Sequence, residues 1–384
     1  MCFNLNKLKN LICKFCPDGV NYKKLVEVAD VLYGYPCDAT AFNDAGKGLP
    51  LARIRDVLAG RTNTYTTEII PENYIISNGD LLVGMDGNFH VATWKMSRSI
   101  LCQRVCRISS KDDAVVYNGF LNHILPPIIK EIEQNKQSGT VKHLLAKDIN
   151  AICIPLPPLA VQQEIVRILD SFTELTAELT AELTARRKQY EHYRDELLTF
   201  GDDVPITALG NIAQVNVGSK PAQICNNTTL FEYINAGTGN SGYTSEANCD
   251  GDTVTTPSRG QGGIGYIGYQ ANPFWLGPLC YKIRVKSNEK HLNKFLFYYL
   301  QSQNSEILKM KKEGGVPAIN QSDLIQMQIP LLPIERQQSI VKILDRFDAI
   351  CNDLTSGLPA EIAARQKQYE YYRDKLLTFK ELER

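Results

Sequence analysis

Apolar residues recur at steps of four and three along the middle of the chain, at Val161, Ile165, Ile168, Phe172, Leu175, Leu179 and Leu183. This spacing predicts a helix with one apolar stripe. Prolines at 155, 157 and 158 end the preceding segment, so the helix is expected from Leu159 to Phe200. At ~1.5 Å per residue this helix is about 60 Å long, so it needs an equally long partner to pack against.

That partner is a second copy of the same sequence. Ile154–Phe172 and Ile329–Phe347 are identical at twelve of nineteen positions. Ala185–Phe200 and Ala364–Phe379 are identical at thirteen of sixteen. Repeated sequence of this length predicts the same long helix twice.

The second copy differs at Gly357 and Pro359, which predict a kink or a short break. Since the first helix leads into a second globular segment and the second helix starts from it, a pair formed by the two helices must be antiparallel. The two globular segments would then lie about 40 to 60 Å apart, related by a pseudo-twofold axis. Leu8, Leu11 and Phe15 predict a short N-terminal helix, expected near the end of the second long helix.

A length of 384 residues suits two domains plus connecting structure. The predicted organisation is an N-terminal helical segment (1–20), a first globular domain (21–153), a first long helix (154–203), a second globular domain (204–328) and a second long helix (329–384).

The two globular segments share short landmarks in the same order. Arg53-Ile54-Arg55 falls opposite Tyr233-Ile234-Asn235, and Leu101–Val105 resembles Leu279–Ile283. Strand-like runs bounded by Gly, Asp and Pro alternate with short helices, so a mixed α/β fold used twice is predicted. Arg53 and Arg55 stand against Tyr233 and Asn235 in this alignment, so the shared frame would present different hydrogen-bonding groups.

Composition narrows the class of protein. Lys plus Arg equals Asp plus Glu at 42 each, which neither indicates nor excludes a nucleic-acid partner. Eleven cysteines without a framework fit reduced thiols, and no apolar run is long enough to cross a membrane, so a soluble cytoplasmic protein is predicted. Cys13-x-x-Cys16 lacks a histidine at ligand spacing, and neither a metal site nor a cofactor is expected.

Glycine-rich loops carry the candidate binding residues. Ten glycines lie between Gly237 and Gly277, together with tyrosines and forked polar side chains. Glycine permits close backbone approach, and Arg, Gln and Asn present the donors and acceptors that read base edges. The first segment has a comparable loop from Gly84 to Arg98. The alternative for each single residue is an ordinary surface turn with buried aromatic rings, which has the same composition.

The words Ile-Pro-Leu-x-Pro, Gln-Gln, Ile-Val-x-Ile-Leu-Asp-x-Phe and Tyr-Arg-Asp-x-Leu-Leu-Thr-Phe occur twice, with Thr-Ala-Glu-Leu repeats between them. With these words the chain resembles, over essentially its whole length, the specificity subunits of Type I restriction-modification systems. The resemblance implies two target recognition domains, each binding one half of a split, asymmetric site in double-stranded DNA. It also implies helices that set the gap and dock two methyltransferase (modification) subunits, to which two restriction/translocase subunits can be added.

Two other classes compete with this interpretation. A coiled-coil adaptor would bind proteins through both domains and have no DNA specificity. A stand-alone DNA methyltransferase is weaker, because Asn272-Pro273-Phe274-Trp275 lacks one proline of the adenine clamp and no cofactor loop accompanies it. No catalytic constellation is found, so a non-catalytic recognition subunit is predicted.

We expect DNA contacts from polar residues of both domains: Arg53, Arg55, Asn88, His90, Lys95, Arg98, Lys220, Tyr233, Asn235, Asn240, Arg259, Gln261 and Tyr266. We expect partner docking from polar residues that repeat in both helices off the apolar stripe: Gln162, Gln163, Arg194, Gln337, Gln338 and Arg373. Ion pairs on the surface and hydrogen bonds within the chain are the alternative roles for these side chains.

Overall fold

The computed structural model describes residues 5–136, 142–260, 262–312, 316–353 and 355–382. It contains two compact units, one formed by Met1–Glu178 with Ala363–Arg384 and the other by Leu179–Ile362. Each unit combines a mixed segment of strands and short helices with part of both long helical segments. The mixed α/β class predicted from the sequence is confirmed.

The first mixed segment and the helices around it comprise α1 (Leu5–Phe15), β1 (Asn21–Lys24), α2 (Leu25–Val28), β2 (Ala29–Tyr33), β3 (Phe42–Asn43), β4 (Leu49–Ala52), α3 (Ile54–Val57), β5 (Tyr65–Thr66), β6 (Ile75–Ile76), β7 (Leu81–Gly84), β8 (Val91–Thr93), β9 (Ser99–Leu101), β10 (Val105–Ser110), α4 (Asn118–Asn135), α5 (Ala146–Asn150), β11 (Cys153–Leu156) and α6 (Leu159–Leu197). The helix predicted over Leu159–Phe200 is therefore present and ends at Leu197.

The second mixed segment and its helices comprise β12 (Ile206–Ala208), α7 (Leu209–Ile212), β13 (Ala213–Val217), β14 (Phe231–Ile234), β15 (Tyr243–Thr244), β16 (Thr253–Pro257), β17 (Gly268–Gln270), β18 (Trp275–Leu276), β19 (Cys280–Val285), α8 (Asn293–Ser302), α9 (Asn304–Lys309), α10 (Gln321–Leu324), β20 (Gln328–Pro330), α11 (Ile334–Asn352) and α12 (Leu358–Leu377).

The sheets of the two segments follow one plan. In the first, β2, β10, β7 and β8 form a four-stranded antiparallel sheet, and β4 pairs in parallel with β9 inside a five-stranded sheet. In the second, β13, β19, β16 and β17 form the same four-stranded sheet, and β14 pairs in parallel with β18. A short antiparallel pair, β1 with β11 or β12 with β20, joins the beginning of each segment to its end.

Strand register fixes which residues correspond. Cys106 pairs with Tyr33 at the end of β2, and Tyr281 pairs with Val217 at the end of β13, so Cys106 corresponds to Tyr281. The landmark alignment of Leu101–Val105 with Leu279–Ile283 is therefore wrong by three residues. It matched a two-residue Leu-Cys word instead of the paired strand positions.

The N-terminal part of the predicted apolar stripe of α6 is buried, whereas Leu175, Leu179 and Leu183 farther along it are half-buried. Val161, Ile165, Ile168 and Phe172 are at most 1% exposed and belong to the core of the first unit. Burying four such side chains removes several hundred Å² of apolar surface from water, the largest favourable contribution to folding. The core therefore joins the first mixed segment to its long helix.

Each unit pairs an N-terminal block of the repeat with a C-terminal block. In the first unit the ring of Phe172 stacks on that of Tyr372 at 5.3 Å, and in the second the ring of Phe347 stacks on that of Tyr193 at 5.4 Å. In the second unit the side chain of Arg187, six residues before Tyr193, donates to the carbonyl of Cys351, four residues after Phe347. Because one helix advances along the chain as the other goes back, the two helix segments there run antiparallel. The predicted antiparallel pairing is confirmed within that unit.

The second copy is interrupted where its sequence differs. Helix α11 ends at Asn352 and α12 begins at Leu358, so the predicted break is confirmed. Asp353 accepts hydrogen bonds from the backbone N–H groups of Thr355 and Ser356, and bonds to these hydroxyls hold the pKa of its carboxyl well below the usual range. A Cβ on Gly357 would approach the carbonyl oxygen of Ala349 to 2.5 Å, so this turn requires glycine.

The two ends of the chain meet in the first unit, as expected for the N-terminal helix. Leu8 of α1 is 1% exposed in the same core as Leu376 of α12. The backbone N–H of Val20 donates to the carbonyl of Lys380 at 2.9 Å, and the N–H of Leu382 returns a bond to Val20 at 3.0 Å.

A buried glutamine ties each mixed segment to its long helix. Gln162 is 0% exposed; its Nε2 donates to the carbonyls of Val115 and Pro157, and its Oε1 accepts from the N–H of Tyr117. Gln337 is also 0% exposed and makes the same three bonds, to the backbone of Lys290, Leu332 and Leu292. We call these two sets the glutamine clamps.

A second pair of contacts repeats beside the clamps with different side chains. His123 of α4 is 2.8 Å through Nε2 from a carboxylate oxygen of Asp170, and its Nδ1 is 3.1 Å from the hydroxyl of Tyr369. At the corresponding place in the second unit the hydroxyl of Tyr298 donates to Asp345 at 2.6 Å. The two units therefore share polar contacts as well as the order of their strands, and we call these shared elements the frame.

The clamps correct part of the docking prediction. Gln162 and Gln337 do not form a docking surface, because both are fully buried and bonded within the chain. Arg194 and Arg373 are 19% exposed, and each binds the adjacent Asp195 or Asp374. The exposed members of the predicted set are the neighbours Gln163 and Gln338.

We expect Gln162→Leu to lower the free energy of unfolding by about 2–4 kcal/mol, because a buried backbone N–H and two carbonyls lose their partner. Gln337→Leu should cost a similar amount, since its three bonds are the same. Chemical denaturation of the purified chain measures both. The matched control is Gln163→Leu at the exposed neighbour, which should change stability by less than about 0.5 kcal/mol. Equal losses for Gln162→Leu and Gln163→Leu would show that the clamp contributes nothing.

Candidate nucleic-acid interface

The first unit has an open cleft of about 570 Å³. It is lined by residues of β3, of α3 and its flanks, and of the connections β2–β3, β7–β8 and β9–β10: Cys37, Ala39, Phe42, Arg53, Ile54, Arg55, Leu58, Asp86, Asn88, His90, Cys102, Gln103 and Arg104. Four of the six residues proposed for this domain from the sequence lie here together, namely Arg53, Arg55, Asn88 and His90. Three arginines and a single carboxylate give the cleft a cationic rim over an apolar floor.

The loop that carries Asn88 and His90 is anchored by the residue between them. Phe89 is 4% exposed in the core, and its backbone N–H donates to the carboxylate of Glu133 at 2.9 Å. The N–H of Gly87 donates to the carbonyl of Lys142 at 2.9 Å. With the middle of the loop fixed, the flanking side chains of Asn88 and His90 are presented to the cleft.

Arg53 and Arg55 have different surroundings. The Arg53 guanidinium donates from Nε to Asp56 at 3.1 Å and from Nη2 to the hydroxyl of Thr64 at 2.7 Å, so it braces the wall of the cleft. Arg55 is exposed on the same wall. A braced arginine loses existing bonds when it turns to a ligand, whereas an exposed one does not. Arg55 is the better placed of the two for direct contact.

The turn between β9 and β10 supplies a cleft residue that the sequence analysis missed. Arg104 has a φ of +69°, and its backbone carbonyl accepts from the N–H of Met85 at 2.8 Å. Its Nε lies 3.5 Å from a carboxylate oxygen of Asp86, whose other oxygen is 2.7 Å from Nδ1 of His143. The only sequence signal was a polar Gln-Arg pair between two apolar strand runs.

Two thiols form part of the apolar floor. Cys37 and Cys102 are 8% and 6% exposed and belong to one small core cluster with Leu51 and Ile100. The hydrogen bond between the thiols raises the pKa of Cys37 and lowers that of Cys102, while burial raises the pKa of both. The two thiols therefore suit the floor of a cleft that contacts apolar atoms of a ligand.

Lys95 and Arg98 do not line this cleft. They lie beyond β8, in the connection to β9, where the buried ring of Trp94 donates from Nε1 to the hydroxyl of Ser99 at 2.9 Å. The Nη1 and Nη2 groups of Arg98 each donate to a carboxylate oxygen of Glu72 in an exposed ion pair, and these bonds raise the pKa of Arg98. The loop from Gly84 to Arg98 is thus two separate connections.

The second unit has a smaller pocket of about 260 Å³. Asn240 and Tyr266, both proposed from the sequence, line it with Glu232, Thr255, Gln270 and other residues. Asn240 donates from Nδ2 to the hydroxyl of Tyr243 at 3.0 Å. A Cβ on Gly263 would lie 2.3 Å from the carbonyl oxygen of Ala236, so glycine permits the close contact between the two pocket loops.

Strand register corrects the comparison of Arg53 and Arg55 with the second unit. Ala52 pairs with Leu101 as Ile234 pairs with Leu276, so Arg53 corresponds to Asn235 and the buried Leu51 corresponds to Tyr233. Tyr233 is accordingly 5% exposed, and burial raises the pKa of its hydroxyl. The predicted DNA contact by Tyr233 is therefore not supported, because its side chain is in the interior.

The remaining candidates of the second unit lie outside the pocket. The Oδ1 of Asn235 accepts from the backbone N–H of Leu279 at 3.0 Å, so this side chain closes a turn. Lys220 and Arg259 are exposed on other loops. Gln261 lies outside the described residues. The second pocket therefore presents neutral polar groups and one carboxylate, Glu232, where the first cleft presents arginines.

Among the residues that the structure describes, no group of three or more His, Cys, Asp or Glu side chains is placed to hold a metal ion. In the same part of the chain, no helix is both long and apolar enough to cross a bilayer.

One frame present twice, with differently lined clefts, defines a recognition protein with two modules. Comparison with known proteins agrees: the family model for the Type I restriction modification DNA specificity domain matches residues 17–186 and again 202–364. The chain belongs to this family.

Individual relatives support the assignment. The chain is 38% identical over 254 residues to the EcoR124I/EcoR124II Type I restriction enzyme specificity subunit of Escherichia coli, covering 59% of this chain and 61% of that protein. It is 43% identical over 145 residues to the EcoBI specificity subunit of Escherichia coli, covering 38% of this chain and 30% of that protein. The matches thus span less than two thirds of the length of either relative.

The fold also matches a solved structure. A crystal structure of the Type I restriction-modification system S subunit from M. genitalium aligns with a TM-score of 0.65 at 18% identity, covering 94% of this chain and 96% of that one. At this level of identity the likeness concerns the fold alone.

Proposed function

We propose that this chain is the DNA-specificity subunit of a Type I restriction-modification complex and has no catalytic chemistry of its own. Segments 21–153 and 204–328 act as target recognition domains, and each reads one half of a bipartite, asymmetric site in double-stranded DNA. One observation carries the proposal. The two segments share strand order, register and buried polar contacts, yet their clefts are lined by different side chains.

The lining of each cleft suits base reading. Exposed arginine and asparagine side chains make paired hydrogen bonds to guanine and adenine edges in the major groove, and apolar groups contact the thymine methyl. Arg55, Asn88 and His90 offer these groups in the first cleft, and Asn240 and Tyr266 in the second. Lys95, Arg98, Lys220 and Arg259, which lie outside the clefts, are proposed to contact phosphates, which favours DNA of any sequence.

The long helices, residues 154–203 and 329–384, are proposed to set the spacing between half-sites and to dock two methyltransferase subunits. Two restriction/translocase subunits would complete the assembly, in the cytoplasm. The exposed, repeated glutamines Gln163 and Gln338 are candidates for the docking surface. Their positions beside the buried clamps place them at the same point of each repeat, as two copies of one partner require.

Cleft substitutions should affect one half-site each. Arg55→Ala is expected to weaken discrimination in the first half-site by about 1–3 kcal/mol at one base pair, and Asn240→Ala to do the same in the second. Binding of a duplex panel with single base-pair changes, with the methyltransferase partners present, measures this. Arg61→Ala, an exposed arginine outside the cleft, is the control and should alter no base preference. Loss at both half-sites from one substitution would contradict separate readers.

The same assay separates the competing classes. Absence of sequence-specific retention, even with methyltransferase partners, would favour a protein-binding adaptor. Methylation of DNA by the purified chain with S-adenosylmethionine alone would identify a methyltransferase instead. Specific binding should weaken as salt rises, because phosphate contacts release counterions.

Shortening α6 by one repeat unit should change the spacer and leave both half-sites unchanged. Deleting residues 180–183, one Thr-Ala-Glu-Leu unit, removes ~6 Å of helix and rotates the C-terminal part of α6 by about 40° relative to its N-terminal part. Selection of bound sites from duplexes with variable spacers measures the preferred gap. Glu178→Ala with Glu182→Ala alters the same region without changing its length and should keep the original gap. An unchanged gap in the deletion variant would refute the role of the helix as a spacer.

A further inference from the structure

Arg104 occupies a backbone conformation that disfavours its side chain. Its φ of +69° lies in the left-handed region, and among the described residues only Arg104 and Asp252 combine a positive φ with a side chain. The turn closes with a bond from the N–H of Val105 to the carbonyl of Cys102 at 3.2 Å. Glycine would adopt this conformation without strain. The strain marks the position as one where the side chain contributes something that glycine cannot.

The corresponding turn of the second unit lacks this feature. By strand register Cys102 and Arg104 correspond to Gly277 and Leu279, and Leu279 is not in the left-handed region. The frame itself therefore does not impose the conformation on residue 104. It is particular to the first cleft, where the three-residue connection ends on a charged side chain.

The guanidinium of Arg104 is both exposed and oriented. Its side chain is 62% exposed and lines the cleft beside Arg55 and Asn88. Asp86 lies 3.5 Å from Nε, and its second carboxylate oxygen is held by Nδ1 of His143 at 2.7 Å. Because Asp86 approaches at Nε, the terminal pair Nη1 and Nη2 suits a two-bond contact to another planar group.

We propose that Arg104 is a specificity-determining residue that reads a guanine in the half-site bound by the first unit. The Nη1 and Nη2 groups donate to the O6 and N7 acceptors of the base, and Asp86 is a positioning residue that orients the fork. The proposal rests on the proposed function of the chain as a DNA-specificity subunit. Beyond that function, it names guanine as the base that is read and Arg104 as the residue that reads it.

The decisive variant is Arg104→Lys, which keeps the positive charge and the backbone conformation but removes the planar fork. In a complex with the methyltransferase partners, binding is measured to duplexes carrying each single base-pair change in both half-sites. We expect discrimination to fall about 5- to 150-fold at one guanine-containing pair and to stay unchanged elsewhere. Asp86→Asn should reduce discrimination at that same pair by a smaller factor. Arg61→Lys, at an exposed arginine outside the cleft, is the matched control and should alter neither binding nor any base preference.

Arg104→Gly tests the strain independently. This variant should lose discrimination at the same base pair while its melting temperature stays equal or rises, because glycine adopts the left-handed conformation freely. A structural role alone would instead lower the melting temperature and leave base preferences intact. That result would overturn the proposal.

Two further results would also refute it. Full retention of all base preferences by Arg104→Lys excludes a fork contact. Uniform weakening on every duplex by Arg104→Gly, with a shallower salt dependence, identifies a phosphate contact instead. If the unaltered complex shows no sequence-specific binding at all, the proposed function of the chain fails, whatever the variants do.

Discussion

The structure of each unit depends on a buried glutamine that bonds only to main-chain atoms. Gln162 and Gln337 each satisfy two carbonyls and one N–H where water does not reach. Each of these backbone groups would lower the stability of the fold by about 1–3 kcal/mol if it were buried without a partner. The glutamine therefore holds the loop before α4 or α8 against the long helix. Because the partners are backbone groups, the clamp accepts nearly any sequence in the segment that it fixes.

This constraint explains how one frame carries two chemistries. The strands, the buried stripe of each helix and the clamp position the cleft, while the cleft lining comes from loops between them. Arg53 and Asn235 occupy corresponding positions and both bond locally, but one braces a cationic wall and the other closes a turn. Side chains at loop tips contribute little to the core, so they can differ without unfolding the frame.

Periodicity and repetition predicted the long helices, the break near Gly357, the N-terminal helix and the doubled mixed fold. Such signals extend over many residues, so single substitutions do not hide them. The alignment between the two segments failed by two residues at Tyr233 and by three at Leu279, because short words do not reveal loops of different length. Gln162 was misplaced since a residue off the apolar stripe is usually exposed, whereas here the loop from Val115 to Tyr117 covers that face. Arg104 was missed because its φ and its approach to Asp86 arise only in the folded turn.

The two segments are expected to be interchangeable, because the same strands and buried contacts support both. Leu25 bonds to Ile152 as Leu209 bonds to Met327, so residues 25–152 can be replaced by a second copy of 209–327 at matching junctions. Selection of DNA sites bound by this chimera, with the methyltransferase partners present, tests whether each segment reads its half-site independently of its place in the chain. We expect a site that contains the second half-site twice. A folded chimera that binds only the original asymmetric site, or that reads a single half-site, would contradict it.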